Sequence, residues 1–316
     1  MNFFLNIRIK LGYMVFFTYK RGIKMSNIID FKRAVLILSA LILFFTANLF
    51  FTPKGRISTS AAAKKGKFVP IIMYHGVTDG ECDAGEYIVT AAQLESDLKY
   101  LKAHGYTTII VNDLIRYVNY KGKLPEKPVI LTFDDGMYGV YKYAYPLMEK
   151  YGARCSVSVV GSYTIAASES AEEPSAAYSY LSLDNIAKMR RSGLVEICSH
   201  SYDMHSLEGR RGALPLEDET YEQYRKAIYN DVFAVQELME DSCGFRPNVY
   251  TYPFGFKNND TQELVNSCGF EATMGVEEKP NYIVKNDPST LFSLNRYNRS
   301  GYASTETFMK KALSRE

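Results

Sequence analysis

The sequence predicts an α/β fold organised on a parallel sheet, open or closed into a barrel. Three observations lead there: short apolar runs rich in Val and Ile alternate with stretches of helical periodicity, helix-start signals fall between them, and reactive side chains recur where the apolar runs end. In both versions of the fold ligands bind beyond the carboxyl ends of the strands. His75, Asp134, Asp135, His200 and Pro253 all occupy such positions.

The run VPIIMY (69–74) begins the folded body as a buried strand. Thr90 with Gln93 forms a capping-box pattern that opens a helix running to Ala103 and closed by Gly105. A strand at 107–111, a helix at 113–120 and the strand 128–133 follow. Next come a helix at 138–151, a strand at 154–160, a helix at 182–191, a strand at 194–199 and a long helix at 218–241. Strand-like runs at 248–252, 270–274 and 291–296, a helix from about 260 and a last helix at 304–314 complete the series. The connections 161–181 and 206–217 are too long for plain turns, and the first reads either as disordered or as a loop that meets substrate.

The 316 residues, 47% of them hydrophobic, suffice for one large domain with a buried core, preceded by an appendage. Residues 1–67 carry twelve Lys and Arg against the single acid Asp30, so the net charge of +2 hides an acidic body, and a nucleic-acid role loses support. Residues 34–51 are eighteen without a charge, long enough to span a bilayer. Seven basic residues precede them and five follow closely, which favours a cytoplasmic N-terminus with the body outside. The expected organisation is a basic tail (1–33), a membrane anchor or signal segment (34–51), a linker (52–67) and the catalytic domain (68–316). Ala61 to Ala63 offer a cleavage site farther from the apolar run than a signal peptide ordinarily has, so an uncleaved anchor is preferred to secretion, and translation could start at Met1 or Met25.

Five cysteines without a C-x-x-C pair argue against a zinc ribbon or a redox motif. Cys155 and Cys198 read as small core residues, and a disulfide between Cys243 and Cys268 is open.

The chemistry gathers at TFDDG (132–136), where Asp134 and Asp135 stand side by side at a strand end. Of the four histidines, His200 and His205 lie five residues apart in SHSYDMH, a spacing that suits a loop and not one face of a helix. A divalent ion would relieve the repulsion of the two carboxylates, and two imidazoles with one Asp is a catalytic arrangement with positions left open. If Asp135 is the ligand, Asp134 remains free to take a proton from water. Taken alone, an Asp pair before Gly136 would be an ordinary helix cap and turn.

TFDDG, the later His pair and YPFG (252–255), in that order, resemble the first three motifs of the polysaccharide deacetylase (NodB-homology) family, carbohydrate esterase family 4, over roughly residues 68–300. The resemblance implies a distorted (β/α) barrel of about seven strands and metal-dependent removal of N-acetyl groups from a sugar polymer such as peptidoglycan or poly-N-acetylglucosamine. It implies Asp134 as general base, Asp135, His200 and His205 as metal ligands, and the backbone N–H of Phe254 as an oxyanion donor. Zinc is the expected ion, with iron, cobalt or nickel suited to the same ligands.

Three departures bear on these assignments. The His spacing is one residue longer than in most members and resembles the branch that deacetylates biofilm poly-N-acetylglucosamine. Thr251 stands where many members have an Arg that orients the catalytic Asp, which makes Arg296 the candidate substitute. No histidine follows His205 to serve as general acid, so the acid is expected from His75, again as in the biofilm branch. His104 reads as a bystander, and without any Trp, sugar stacking falls to tyrosines, of which Tyr74, Tyr202 and Tyr252 flank the expected site. Two other readings stay open: a cell-wall glycan-binding protein on the same fold without catalysis, and an O-acetyl esterase.

Overall fold

The computed structural model describes residues 66–80 and 84–315. The tail, the apolar segment 34–51 and nearly all of the linker lie outside the described residues. No helix among the described residues is long and apolar enough to cross a membrane.

Eight strands make the main sheet: β1 (Ile71–Tyr74), β2 (Thr107–Ile109), β3 (Pro128–Phe133), β4 (Cys155–Val159), β5 (Val195–Ser199), β6 (Val249–Thr251), β7 (Ala272–Met274) and β8 (Tyr297–Asn298). Their order is β7-β6-β5-β4-β3-β1-β8, every pairing is parallel, and β2 pairs with the first half of β3. All six residues of β3 are buried, as a strand covered on both faces requires.

The period of two sorts the side chains. Ile72, Tyr74, Leu131, Phe133, Val157 and Ile197 belong to the larger core, which packs under helices α1 (Ala91–Ala103), α3 (Tyr145–Tyr151), α5 (Leu183–Arg191) and α8 (Thr305–Ala312). Their alternates Ile71, Ile130, Cys198 and Met274 join a second core, on which α2 (Val111–Asn119) lays Val111, Leu114, Ile115 and Val118. A third cluster seats α6 (Tyr221–Cys243) and α7 (Asn259–Ser267) on Tyr250 and Tyr252. Along the second face the character changes toward the strand ends: Ile130 gives way to buried Thr132 and Asp134, and Cys198 to His200. The strand alternation therefore delivers polar groups to one end of an otherwise apolar interior.

The expected elements are present with three corrections. The segment 291–296, read as a strand, begins with the 3₁₀ turn Pro288–Leu291, initiated by the side chain of Asp287 accepting from Ser289 N, and only Tyr297 and Asn298 pair as β8. Leu294 nevertheless bridges Met274 of β7, while Tyr297 and Asn298 pair with Ile72 and Met73 of β1. The chain from 294 to 298 thus touches both edges of a half-barrel, in keeping with a distorted (β/α) barrel of about seven strands: seven lie on the continuous path of the sheet and β2 joins beside β3.

The second correction is the connection 161–181, which opens with a helix, α4 (Gly161–Glu169). Its N-cap, Val160, makes no side-chain cap bond; instead Gly161 N and Ser162 N donate to the carbonyls of Ser201 and Tyr202 at 3.1 and 2.8 Å. A helix capped by a distant loop leaves no local start signal. Third, Cys243 and Cys268 are free thiols, so the suggested disulfide does not form.

Candidate metal centre and catalytic cleft

Asp134 and Asp135 diverge at the end of β3. Asp134 is buried, its N–H donates to Tyr74 O at 3.0 Å, and its carboxylate is held by Arg296 through two bonds, Nη1 to Oδ1 and Nη2 to Oδ2, both 2.7 Å. Arg296, fully buried, spends Nε on Gly275 O at 2.7 Å and shares Nη1 with Thr132 Oγ1. A guanidinium fork is suited to such bidentate contact. Burial pushes the Asp134 carboxyl up, but Arg296 and His200 outweigh it and hold the group below its usual range. The carboxylate is ionised at neutral pH, and each oxygen keeps a lone pair for another donor.

Asp135 turns the other way, in the left-handed region at φ +66°. Its Oδ1 lies 3.5 Å from His200 Nε2 and 3.1 Å from His205 Nε2. These three residues offer ligand atoms all within 4.8 Å of one another. His200 Nδ1 meets Thr251 O at 2.8 Å, which fixes the ring and turns Nε2 toward Asp135. Burial lowers the proton affinity of His200 less than Asp135 and Asp134 raise it, and the two imidazoles hold the Asp135 carboxyl far below its usual range against the opposing effect of burial. Two imidazoles and a carboxylate with their ligand atoms this close fit a divalent ion of the transition series.

His205 closes the loop that starts at His200. Its ring lies 4.4 Å from that of Phe254, and its carbonyl accepts from Tyr163 Oη at 3.1 Å. Phe254 sits in the turn Pro253–Gly255 with φ +56°, where Gly255 N and Phe256 N are consumed by Tyr252 O and Pro253 O. His75, just past β1, packs edge-on against Tyr87 at 4.8 Å, and its buried Nδ1 has no partner among the described residues. Burial lowers the His75 pKa, and Asp134 and Asp135 recover only part of that shift.

A cleft of ≈ 820 Å³ joins these groups: His75, Asp134, Asp135, His200, His205 and Phe254 all line it, with Tyr87, Leu207, Val276, Glu86 and Glu278 nearer its mouth. The polysaccharide deacetylase family model matches residues 121–273, which hold the Asp pair, the His pair and the Phe254 turn. Over those residues the chain is similar to the polysaccharide deacetylase family. A poly-beta-1,6-N-acetyl-D-glucosamine N-deacetylase of Staphylococcus aureus is 25% identical over 193 residues, 61% of this chain and 62% of that protein. The match therefore spans under two thirds of that relative's length. Among solved structures, a de-N-acetylase from Aggregatibacter actinomycetemcomitans aligns with TM-score 0.65 at 22% identity, covering 78% of this chain and 99% of that one. IcaB from Ammonifex degensii aligns with TM-score 0.63 at 21% identity, covering 79% and 99%. At these identities the two share the fold.

Within this fold, the structure brings together the seven candidate site residues: His75, Asp134, Asp135, His200, His205, Phe254 and Arg296. Thr251 contributes its carbonyl to His200 and its hydroxyl to Ser158 Oγ, 2.7 Å away, while the Arg arrives from the segment before β8. The tyrosines divide differently from expectation. Tyr74 is fully buried and bonded to Asp97 at 3.0 Å, Tyr202 faces a separate pocket, and Tyr252 is buried in the cleft wall. Tyr87, 57% exposed, is the tyrosine that presents a ring to the cleft. His104 is exposed and stacks on Tyr100, away from the cleft. Sequence reasoning missed Tyr87 and Tyr163. Neither lies at the carboxyl end of a strand, and Tyr163 belongs to the helix whose cap is supplied by tertiary contact.

Proposed function

We propose that this protein is a metal-dependent N-deacetylase of a cell-surface polysaccharide, of the poly-N-acetylglucosamine type. The observation that carries the reading is the partition of the Asp pair: one carboxylate is locked to a buried Arg and the other faces two imidazoles across the same cleft. The Staphylococcus aureus relative, named for poly-beta-1,6-N-acetyl-D-glucosamine, points the same way.

Asp135, His200 and His205 would hold the ion, with zinc first among the candidates. When bound, it supplies Lewis-acid polarisation of the acetamide carbonyl and a lowered pKa for water at the site. Asp134, ionised and oriented by Arg296, takes a proton as water adds to the carbonyl carbon. The Phe254 N–H donates to the carbonyl oxygen as negative charge develops on it. The C–N bond then breaks, His75 hands a proton to the nitrogen, and acetate and the free amine leave. Burial keeps the resting His75 ring neutral, so it takes up from solvent during turnover the proton it hands to nitrogen, drawn by the negative charge of the adduct and of Asp135, and Asp134 returns its own proton to solvent as the products leave.

Residues 34–51 tether the domain to the cell membrane with the cleft facing outward; cleavage near Ala63 would release it. The Tyr87 ring offers a sugar face at the cleft mouth.

The test is acetate release by the full chain from poly-N-acetylglucosamine, chitooligosaccharides and peptidoglycan, with and without chelator. Chelator-sensitive release from the first supports the reading, and so does loss of turnover with retained metal in Asp134→Asn and loss of metal in His200→Ala. Glycan binding without acetate release from any polymer overturns it in favour of a binding protein, and release confined to O-acetyl esters overturns it in favour of an esterase.

A further inference from the structure

The loop that carries both imidazoles has no regular structure of its own to hold a five-residue spacing, so its shape must be imposed from outside. Asp231, inside the long helix α6, is where that restraint comes from. Its Oδ1 accepts from Tyr202 N at 2.9 Å and its Oδ2 from Asp203 N at 2.7 Å, so that one carboxylate spans two successive N–H groups of the loop. On the opposite side, Gly161 N and Ser162 N of α4 grip the carbonyls of Ser201 and Tyr202. A Cβ on Gly161 would come within 2.5 Å of the Tyr202 ring, so that close approach depends on glycine there. Inside the loop, Met204 N donates to Ser201 Oγ at 3.1 Å, and Ser201 takes the left-handed conformation at φ +75°.

We infer that Asp231 is a positioning residue that bends the His200–His205 loop into ligand geometry and thereby sets the affinity of the site for its ion. This rests on the metal-dependent reading above. A carboxylate in a helix interior is costly to bury unless it is bonded, and Asp231 is 9% exposed. Nothing on α6 itself explains its presence there; the two loop N–H groups do. It does not line the catalytic cleft but a separate pocket with Tyr202, Asp203, Met204 and Arg210, so it acts on the ion only through the loop. Both oxygens are needed as acceptors. An Asn can accept at one and must set its NH₂ against the other N–H.

The experiment uses the full chain and zinc alone, with affinity read by competition against a chelating dye and folding by circular dichroism and urea unfolding of the zinc-free protein. Asp231→Asn is expected to weaken zinc binding by about 10- to 100-fold, the range found for partners of metal ligands, while remaining folded. Gln236→Ala serves as the control. Gln236 is buried on the same helix and bonds Pro247 O, away from the loop, so this variant should lose stability yet keep wild-type affinity. A folded Asp231→Asn variant with wild-type affinity overturns the inference, as does an equal loss of affinity in Gln236→Ala. If Asp231→Asn does not fold, Asp231→Glu carries the test. It keeps the charge but moves the carboxylate by a methylene, so weakened affinity supports the inference and wild-type affinity overturns it. A wild-type chain that binds no zinc, iron, cobalt or nickel would defeat the functional reading itself, a result separate from these.

Discussion

Replacing Arg296 by Gln isolates the most demanding interaction in the protein. Arg296 and Asp134 are 0% and 3% exposed at their side chains and joined by two bonds of 2.7 Å, so solvent cannot take over when one partner is removed. Breaking a buried pair on one side leaves an uncompensated charge and costs about 3–5 kcal/mol. With a urea slope of about 3 kcal/mol per M for a domain this large, the unfolding midpoint should fall by roughly 1–1.7 M. Acetate release should fall about 100-fold as well, since a base displaced by about 1 Å loses that much. The double variant Asp134→Asn/Arg296→Gln removes both charges and should recover most of the lost midpoint while staying inactive. Urea unfolding followed by circular dichroism on the single and double variants gives the comparison. A single variant within about 0.3 M of wild type, or a double variant no more stable than the single, would refute the account of Asp134 as a charge that Arg296 makes tolerable.

Two further outcomes are expected. Tyr87→Ala should raise KM about fivefold, the equivalent of about 1 kcal/mol of ring contact, with kcat little changed and Tyr87→Phe near wild type; a fall in kcat at constant KM would show instead that the ring serves to position His75. Burial pushes the Asp231 carboxyl up to about 6 from an ordinary 3.8, with Asp203 and Arg210 from the loop and Tyr250 from β6 facing it. A carboxyl whose pKa is raised on folding adds stability at acid pH and loses it as pH rises through the folded pKa. The stability of wild type relative to Asp231→Asn should therefore decline by about 2.4 kcal/mol from pH 4 to 7, and a flat difference in urea unfolding across that window would contradict the burial of this group.

What the sequence made legible follows from local rules. Strand alternation and the strand-end positions of His75, Asp134 and His200 can be read from apolar runs and their boundaries, and the capping box of Thr90 and Gln93 forms as expected. The residues that escaped are those whose placement depends on another segment. Helix α4 takes its cap from Ser201 and Tyr202, so nothing before Gly161 signals it, and Tyr163 goes unseen with it. Asp231 looks in sequence like one more acid on a long amphipathic helix, and only the approach of the loop gives it partners. Arg296 could be proposed only through the resemblance, which implies a cation for the catalytic Asp and an Arg at the position where Thr251 stands. The irregular course of residues 288–298, with a left-handed Ser293 between a 3₁₀ turn and a two-residue strand, could not be anticipated from their apolar content.

Backbone conformation explains why two adjacent carboxylates coexist. In an extended strand, Asp134 and Asp135 would simply point to opposite faces, and one would enter the helix-packed core beside Phe133. The left-handed turn at Asp135, followed by Gly136 at φ +68°, ends the strand and redirects the second carboxylate into the cleft that already receives the first. Asp tolerates this conformation better than most residues, whereas a β-branched or bulky side chain would not. Of the six non-glycine residues with positive φ among those described, Asp135, Ser201 and Phe254 lie in the three segments that build the site. Each sits where the chain must turn a functional group inward: the Asp135 carboxylate, the two imidazoles, and the turn that packs on His205. Such conformations cost of order 1–3 kcal/mol apiece and persist only when the surroundings over-determine them. Arg296, Asp231 and the α4 N-terminus are those surroundings. For the two carboxylates to exchange places, Arg296 would have to leave its buried bonds and Asp135 its left-handed turn together, so the division between them is fixed by the backbone and not by side-chain rotamers alone.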